Sequence, residues 1–262
     1  MVKFCSLVSG SSGNATFLKC DDTRILIDCG ISARKAEVLL DMIGEKASQL
    51  SGILVTHEHS DHISGIRVLS KKYQIPIYAT PQTWNAMGAV REACGARVRE
   101  IEAQVPFTIG KVEIEPFEIP HDAAQPVCYS IYAENKKISV ATDMGRIVAG
   151  LAEKLRQSDV VLLEANYDTE MLQSGPYPYY LKQRIAGNHG HLSNEQASRM
   201  ACALARSGTR HIILGHLSEK NNLPQLAYDT VAQALTYSGF EPGQNIYLSV
   251  AERYTPSNLI EL

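Results

Sequence analysis

The sequence predicts an α/β protein with two sheets between helical layers. Three observations carry that expectation. Short strand-like segments alternate with amphipathic helical ones along all 262 residues, no low-complexity linker or charge block divides them, and the second half repeats the alternation of the first in kind. The letters hold no strict period, so one domain over residues 1–262 is expected rather than a repeat array.

The elements follow in order. Thr16–Leu18 and Arg24–Asp28 are expected to pair around a turn at Asp21-Asp22. A helix capped by Ser32 comes next, with Val38, Leu39 and Met42 on one face. The apolar run Gly52-Ile53-Leu54-Val55 is a buried strand. Pro81 suits the first turn of a helix that reaches about Cys94 and stops at Gly95. A strand opens at Val112 and runs toward Ile119, and Val127–Ala133 and Ile138–Ala141 are expected as a hairpin about Glu134-Asn135. Ile147–Arg156 reads as helix. The second half then gives strand Val160–Leu163, helix Asn194–Ala205, strand Ile212–Leu214, helix Pro224–Tyr237 ended by Gly239, and strand Ile246–Val250.

Composition excludes some classes of function. A formal net charge of -3 supplies no bulk cationic field for nucleic acid or an anionic membrane, so any polyanion must be gripped locally. Six cysteines (Cys5, Cys20, Cys29, Cys94, Cys128, Cys202) are scattered without a C-x-x-C pair. That usage points to reduced, buried thiols and a cytoplasmic setting. The apolar stretch at the start is too short for a signal peptide, and no run reaches the roughly 18 residues of a membrane span. No membrane partner is expected.

The chemistry is concentrated in THEHSDHISG, Thr56 to Gly65. His57, His59, Asp61 and His62 fall within six positions, although the whole chain has only eight histidines. Neutral imidazole and ionised carboxylate suit Zn²⁺ and neighbouring divalent ions. In an extended segment alternate side chains point the same way, so His57 and His59 can grip one ion. Asp61 and His62, where the chain turns into a helix, can then reach a second. Three further candidates sit where apolar strands end, a usual place for functional groups: His121 after Phe117-Glu118-Ile119-Pro120, Asp143 after Ile138 to Thr142, and His216 after Ile212 to Gly215.

These motifs, with ILIDCG at Ile25 to Gly30, ATDMG at Ala141 to Gly145 and LGH at Leu214 to His216, resemble in order the metallo-β-lactamase fold superfamily. The resemblance implies an αββα four-layer sandwich. It implies that His57, His59 and His121 hold one metal, that Asp61, His62 and His216 hold the other, and that Asp143 bridges them. Asp28 would buttress the histidines from behind. The third motif letter is His59, where redox di-iron relatives usually carry glutamate, and a hydrolase is favoured.

Two cations about 3.5–4 Å apart lower the pKa of a bridging water and supply hydroxide near neutral pH. A phosphodiester leaving oxygen also wants a proton donor. His191 in GHLS is the candidate, paired with Glu164 of EANYD, an arrangement similar to that of ribonuclease Z-type nucleases. His189 and His211 are expected to be exposed loop histidines without a part in the chemistry. The loop Ser9-Gly10-Ser11-Ser12-Gly13-Asn14 has the small residues of an anion-binding nest of N–H groups, and also those of a plain turn.

Together SGSSGNAT, THEHSDHISG, PHDAAQPVCY, ATDMG, EANYD and GHLSEKNN resemble the YycJ/WalJ family of bacterial metallo-β-lactamase-fold proteins over nearly the full length. That resemblance implies a metal-dependent 5′-to-3′ DNA exonuclease with Asp61, His191 and Glu164 in catalysis. Two divalent ions are implied, and their donor set suits Zn²⁺, Fe or Mn²⁺. DNA ends are the expected partner. Ser11, Ser12, Asn14, Lys182, Arg184 and Lys220 are the candidates for gripping it. Lys182 and Arg184 follow Tyr177-Pro178-Tyr179-Tyr180, a mixture of stacking surface and charge used on single strands; Lys71-Lys72 and Lys136-Lys137 are lesser candidates. The rival readings are a small-molecule hydrolase (cyclic phosphodiesterase, lactonase or thioesterase) and a regulatory protein with structural metals.

Overall fold

A computed structural model describes residues 1–148 and 150–262. Their contacts cluster in two units, residues 1–118 with 123–136 and 252–262, and residues 119–122 with 137–251.

The first unit opens with β1 (Val2–Val8), β2 (Ala15–Cys20) and β3 (Thr23–Ile27), an antiparallel meander in which Thr16 faces Ile27 and Cys20 faces Thr23 around the expected turn. Asp21 takes a left-handed φ of 52° in that turn, as aspartate tolerates. α1 (Ala33–Met42) follows, its first turn capped by the Ser32 hydroxyl, which accepts from Lys35 N. β4 (Gly52–Leu54), α2 (Ser60–Ile63), α3 (Ile66–Tyr73), β5 (Ile77–Ala79), α4 (Pro81–Met87), α5 (Ala89–Cys94) and β6 (Val98–Glu100) continue the unit. Strands β3, β4, β5 and β6 lie side by side in parallel. All three β4 side chains are buried, as in a strand covered on both faces. β7 (Phe107–Ile109), β8 (Val112–Glu118) and β9 (Val127–Ala133) then form a second antiparallel meander.

The second unit contributes β10 (Lys136–Ala141), α6 (Leu151–Leu155), β11 (Val160–Glu164), α7 (Thr169–Ser174), α8 (Tyr179–Ala186), α9 (Asn194–Arg206), β12 (His211–Gly215), α10 (Pro224–Tyr237) and β13 (Tyr247–Val250). Strands β10 to β13 are parallel neighbours in sequence order. Every β11 residue is buried. A capping box starts α9, with Ser193 accepting from Gln196 N and the Gln196 side chain accepting from Ser193 N. The chain closes in the first unit, where β14 (Ile260–Glu261) pairs antiparallel with β1.

Several expectations needed correction. On α1 the buried residues are Ala33, Ala36, Leu39 and Leu40, the i, i+3, i+6, i+7 stripe, whereas Val38 and Met42 are exposed. Those two are a full turn apart, on the side of the helix opposite the centre of the buried stripe. The helix expected from Pro81 to Cys94 is broken at Gly88, whose φ of 44° lies outside the helical range. α6 is shorter than the Ile147–Arg156 span, and Ala149 within that span lies outside the described residues. β1 gave little sequence signal because six of its seven residues are buried, which removes the alternation that marks a half-exposed strand. All six cysteines are free and buried. Among the described residues no helix is long and apolar enough to cross a membrane.

Candidate metal centre

In the first unit the parallel strand β4 carries the chain into Thr56 and His57, and α2 turns it back through Asp61 and His62. Asp28, just past neighbouring β3, organises this corner. Its amide donates to Leu54 O (2.8 Å), and its carboxylate accepts from Thr56 N (2.9 Å) and Thr56 Oγ1 (2.8 Å). His62 Nδ1 lies 2.8 Å from Asp28 Oδ2. Donation of the Nδ1 proton to the carboxylate fixes that imidazole's tautomer and directs Nε2 forward, the arrangement of a buttressed ligand. His62 Nε2 lies 3.6 Å from Asp61 Oδ2 and 3.1 Å from Asn14 Nδ2. His57 Nε2 and His59 Nδ1 converge to 3.0 Å. Two nitrogens bound to one tetrahedral zinc would lie about 3.3 Å apart, so the pair fits a shared cation.

Close approach holds the corner together. A Cβ built on Gly30 would stand 1.6 Å from Asp61 O, so only glycine lets the turn after β3 pass under the motif. Asn14 N donates to Asp61 O (2.8 Å), and Gly30 N donates to Asn14 O (2.8 Å). Asn14 is buried and braces this turn and His62, whereas Ser11 and Ser12 are exposed.

The second unit brings Asp143, Glu164 and His216 from strand ends and His191 from the loop before α9. Asp143, Glu164, His191 and His216 each offer one ligand atom, all within 4.8 Å of one another. Glu164, fully buried at the end of β11, is the hub. Its Oε1 is 2.7 Å from His191 Nδ1 and 3.0 Å from His216 Nδ1. Its Oε2 accepts from Met144 N (2.7 Å) and Leu192 N (3.2 Å). Burial pushes the Glu164 carboxyl up, but the charge and hydrogen bonds of His191 with that of His216 overcome it and hold the group below the usual glutamate range. His216 Nε2 comes to 3.5 Å from Asp143 Oδ1, and His121 Nε2 to 3.8 Å from the same oxygen. His121 Nδ1 faces Gly190 O (3.1 Å). Burial lowers the His121 imidazole against the opposing pull of Asp143, favouring the neutral ring a metal requires.

Three of these residues have strained backbones. Asp28 (φ 59°), Asp143 (φ 61°) and His216 (φ 55°) all adopt left-handed conformations, and each lies at or just past the end of a strand. Such strain persists where surrounding structure over-determines it, and it concentrates at functional sites.

The substrate candidates are less uniform. Lys182 Nζ donates to Gln173 O (2.7 Å), and Arg184 Nε pairs with Asp122, so both cations have partners within the chain. Lys220 is exposed, as are Tyr179 and Tyr180 at the start of α8. His211 is half-buried at the start of β12 and stacks on Tyr247 at 4.6 Å, so it is not the exposed loop residue expected. Sequence reasoning missed Thr56, which joins Asp28 to two histidines. It also missed Asn166, whose Nδ2 donates to His216 O (2.7 Å). Both sit beside motif residues at strand ends, a position that could have drawn attention to them.

A family model described as "Beta-lactamase superfamily domain" matches residues 23–217. The chain belongs to the beta-lactamase superfamily. Within the superfamily it is 35% identical over 264 residues to exodeoxyribonuclease YycJ of Bacillus anthracis, covering 98% of this chain and 97% of that protein. It is 37% identical over 259 residues to exodeoxyribonuclease WalJ of Streptococcus pneumoniae (strain D39), covering 97% and 96%. These matches show membership of the YycJ/WalJ family, as the motifs had implied. The metallo-β-lactamase-fold protein YhfI of Bacillus subtilis superposes with a TM-score of 0.74 at 17% identity over 98% of both chains, which shows the metallo-β-lactamase fold, an αββα sandwich. As a superfamily member with this His/Asp constellation, the protein is a metal-dependent hydrolase.

Proposed function

We propose that the protein is a binuclear metal-dependent 5′-to-3′ DNA exonuclease. His57, His59 and His121 would hold one ion, Asp61, His62 and His216 the other, and Asp143 would serve both, the two units acting as one catalytic domain. The donor chemistry fits: five imidazoles and two carboxylates, with His62 and His216 buttressed by Asp28 and Glu164. Two divalent ions, Zn²⁺ or Mn²⁺ with Fe as a third possibility, would supply activated water and neutralise charge on the transferred phosphoryl group.

The observation that carries the reading is the Glu164–His191 pair at 2.7 Å. His191 is a fifth-part exposed, whereas Glu164 is fully buried. With Nδ1–H donated to Glu164, the imidazole Nε2 is the atom that can hand a proton to a departing alkoxide, a general-acid role. Glu164 keeps the ring oriented. A thioesterase, whose thiolate leaving group is less basic, has less need of such a donor. The relatives named exodeoxyribonucleases support DNA as the substrate. Ser11, Ser12 and Lys220 are exposed and would meet the strand end, with Tyr179 and Tyr180 offering surfaces for base stacking. Lys182 and Arg184 would position α8 rather than touch phosphate.

The test uses protein loaded separately with Mn²⁺ and Zn²⁺ on DNA labelled at either end, with and without a 5′-phosphate. Stepwise release from the 5′ end, abolished by Asp61→Asn and lowered by roughly 10³-fold in His191→Ala, is expected. Intact DNA in every lane, with turnover of a cyclic nucleotide or lactone instead, would overturn the exonuclease reading.

A further inference from the structure

The first unit carries a cationic groove that the chemistry above does not use. It has a volume of about 820 Å³ and lies between α3 and the end of α5, lined by Arg67, Lys71, Lys72 and Arg97 with Val68 and Gln74 among its walls. In a chain of net charge -3 four cations on one groove are a marked local excess.

Part of this pattern has an ordinary explanation. Lys71 and Lys72 stand in the last turn of α3, where cations complement the helix dipole. Lys72 also pairs with Glu37 (2.9 Å) and lies over the Tyr73 ring. The rest has no such account. Arg67 stands in the first turn of α3, the positive end of the dipole, and that turn holds no acidic residue. It is four residues from Lys71, the spacing at which like charges on a helix repel, and both side chains are exposed. Arg97 is fixed across the groove by Ser70 Oγ (2.9 Å), Gln74 Oε1 (3.2 Å) and Ala93 O (2.8 Å). All three acceptors are neutral, so its charge is oriented without being cancelled.

We infer that this groove is a second nucleic-acid site, gripping the phosphate backbone of the DNA away from the end being cut. The inference rests on the exonuclease reading for its choice of polyanion. Arg67 and Lys71 are separated by about 6 Å along the helix axis, near enough for the two cations to meet phosphates of one strand. No aromatic side chain lines the groove, which suits backbone contact without base readout. α3 begins four residues after His62, so the helix leads away from the metal motif. Continued contact with the body of the substrate while its end is trimmed is the expected service.

The experiment compares wild type with Arg67→Glu/Lys71→Glu, and with the milder Arg67→Ala/Lys71→Ala. Binding of a fluorescent 30-base-pair duplex is followed by anisotropy from low to high salt, and the same preparations are assayed on that duplex and on bis(p-nitrophenyl) phosphate. The groove variant is expected to weaken duplex binding by about tenfold and to reduce the salt slope by about 2, with hydrolysis of the small diester unchanged. An unchanged affinity and slope would overturn the groove, whatever the nuclease activity. Loss of duplex binding in a protein whose wild type cuts no DNA would uphold the groove and reject the exonuclease reading.

Discussion

The two units build their sets of candidate ligands by different means. In the first, four candidate ligands come from six consecutive residues, and one local turn under Asp28 and Thr56 arranges them. In the second, His121, Asp143, Glu164, His191 and His216 are spread over 96 positions: the parallel strands β10, β11 and β12 deliver Asp143, Glu164 and His216, whereas His121 and His191 come from loops. Ala141 lies opposite Leu163, and Glu164 lies opposite Gly215. A contiguous set is organised by a turn, a dispersed one by strand ends and loops. The dispersed set accordingly depends on a single buried hub, whereas the contiguous set shares its support among Asp28, Thr56, Asn14 and Gly30.

The largest test of that contrast is Glu164→Gln. It keeps the shape but removes the charge that faces two histidines and two backbone amides, and a loss of roughly 10³-fold in kcat/KM is expected from steady-state assays. A loss under tenfold would mean the second unit has no hub. Gly30→Ala comes next. With a Cβ forced to within 1.6 Å of Asp61 O, unfolding by urea should show a destabilisation of about 3 kcal/mol. Asp28→Asn should be milder than the Glu164 change because it orients one histidine, with metal affinity falling about 10- to 100-fold by competition with a chelator. Equal effects of the two carboxylate substitutions would erase the difference between the units.

The smallest effect belongs to Glu45, a buried scaffold carboxylate of the first unit that contacts none of the candidate ligands. Burial raises its carboxyl, but Lys19 (2.8 Å) and Arg24 (2.8 Å) overcome this and hold it below the ordinary range. A lowered folded pKa gives stability that is present above the unfolded value and lost as pH falls through the folded one. Glu45→Gln should therefore cost about 1.5 kcal/mol at neutral pH. In denaturation curves the gap to wild type should close as pH falls below the ordinary glutamate range.

Legibility from sequence followed the same division. His57, His59, Asp61 and His62 could be read from spacing alone because the information is local. His121, Asp143 and His216 needed the added idea that strand ends collect function, and Glu164 with His191 needed a family resemblance. For Lys182 and Arg184 no sequence pattern reveals that Gln173 O and Asp122 engage them. The core strand β1 and the break at Gly88 escaped for a physical reason as well. A strand buried on both faces has no alternation, and a glycine inside a helical pattern signals a break only once its φ is known.

Cys29 lies between Asp28 and Gly30, under the metal motif, and its buried thiol donates to Ile31 O. Burial pushes that thiol up to about 12, so near neutral pH it stays protonated. A thiolate in that position would compete for the ion as a soft donor and offer a target for peroxide. Keeping the sulfur protonated leaves the corner with nitrogen and oxygen donors alone, removes a soft ligand's bias toward zinc, and spares the centre one route to oxidative inactivation.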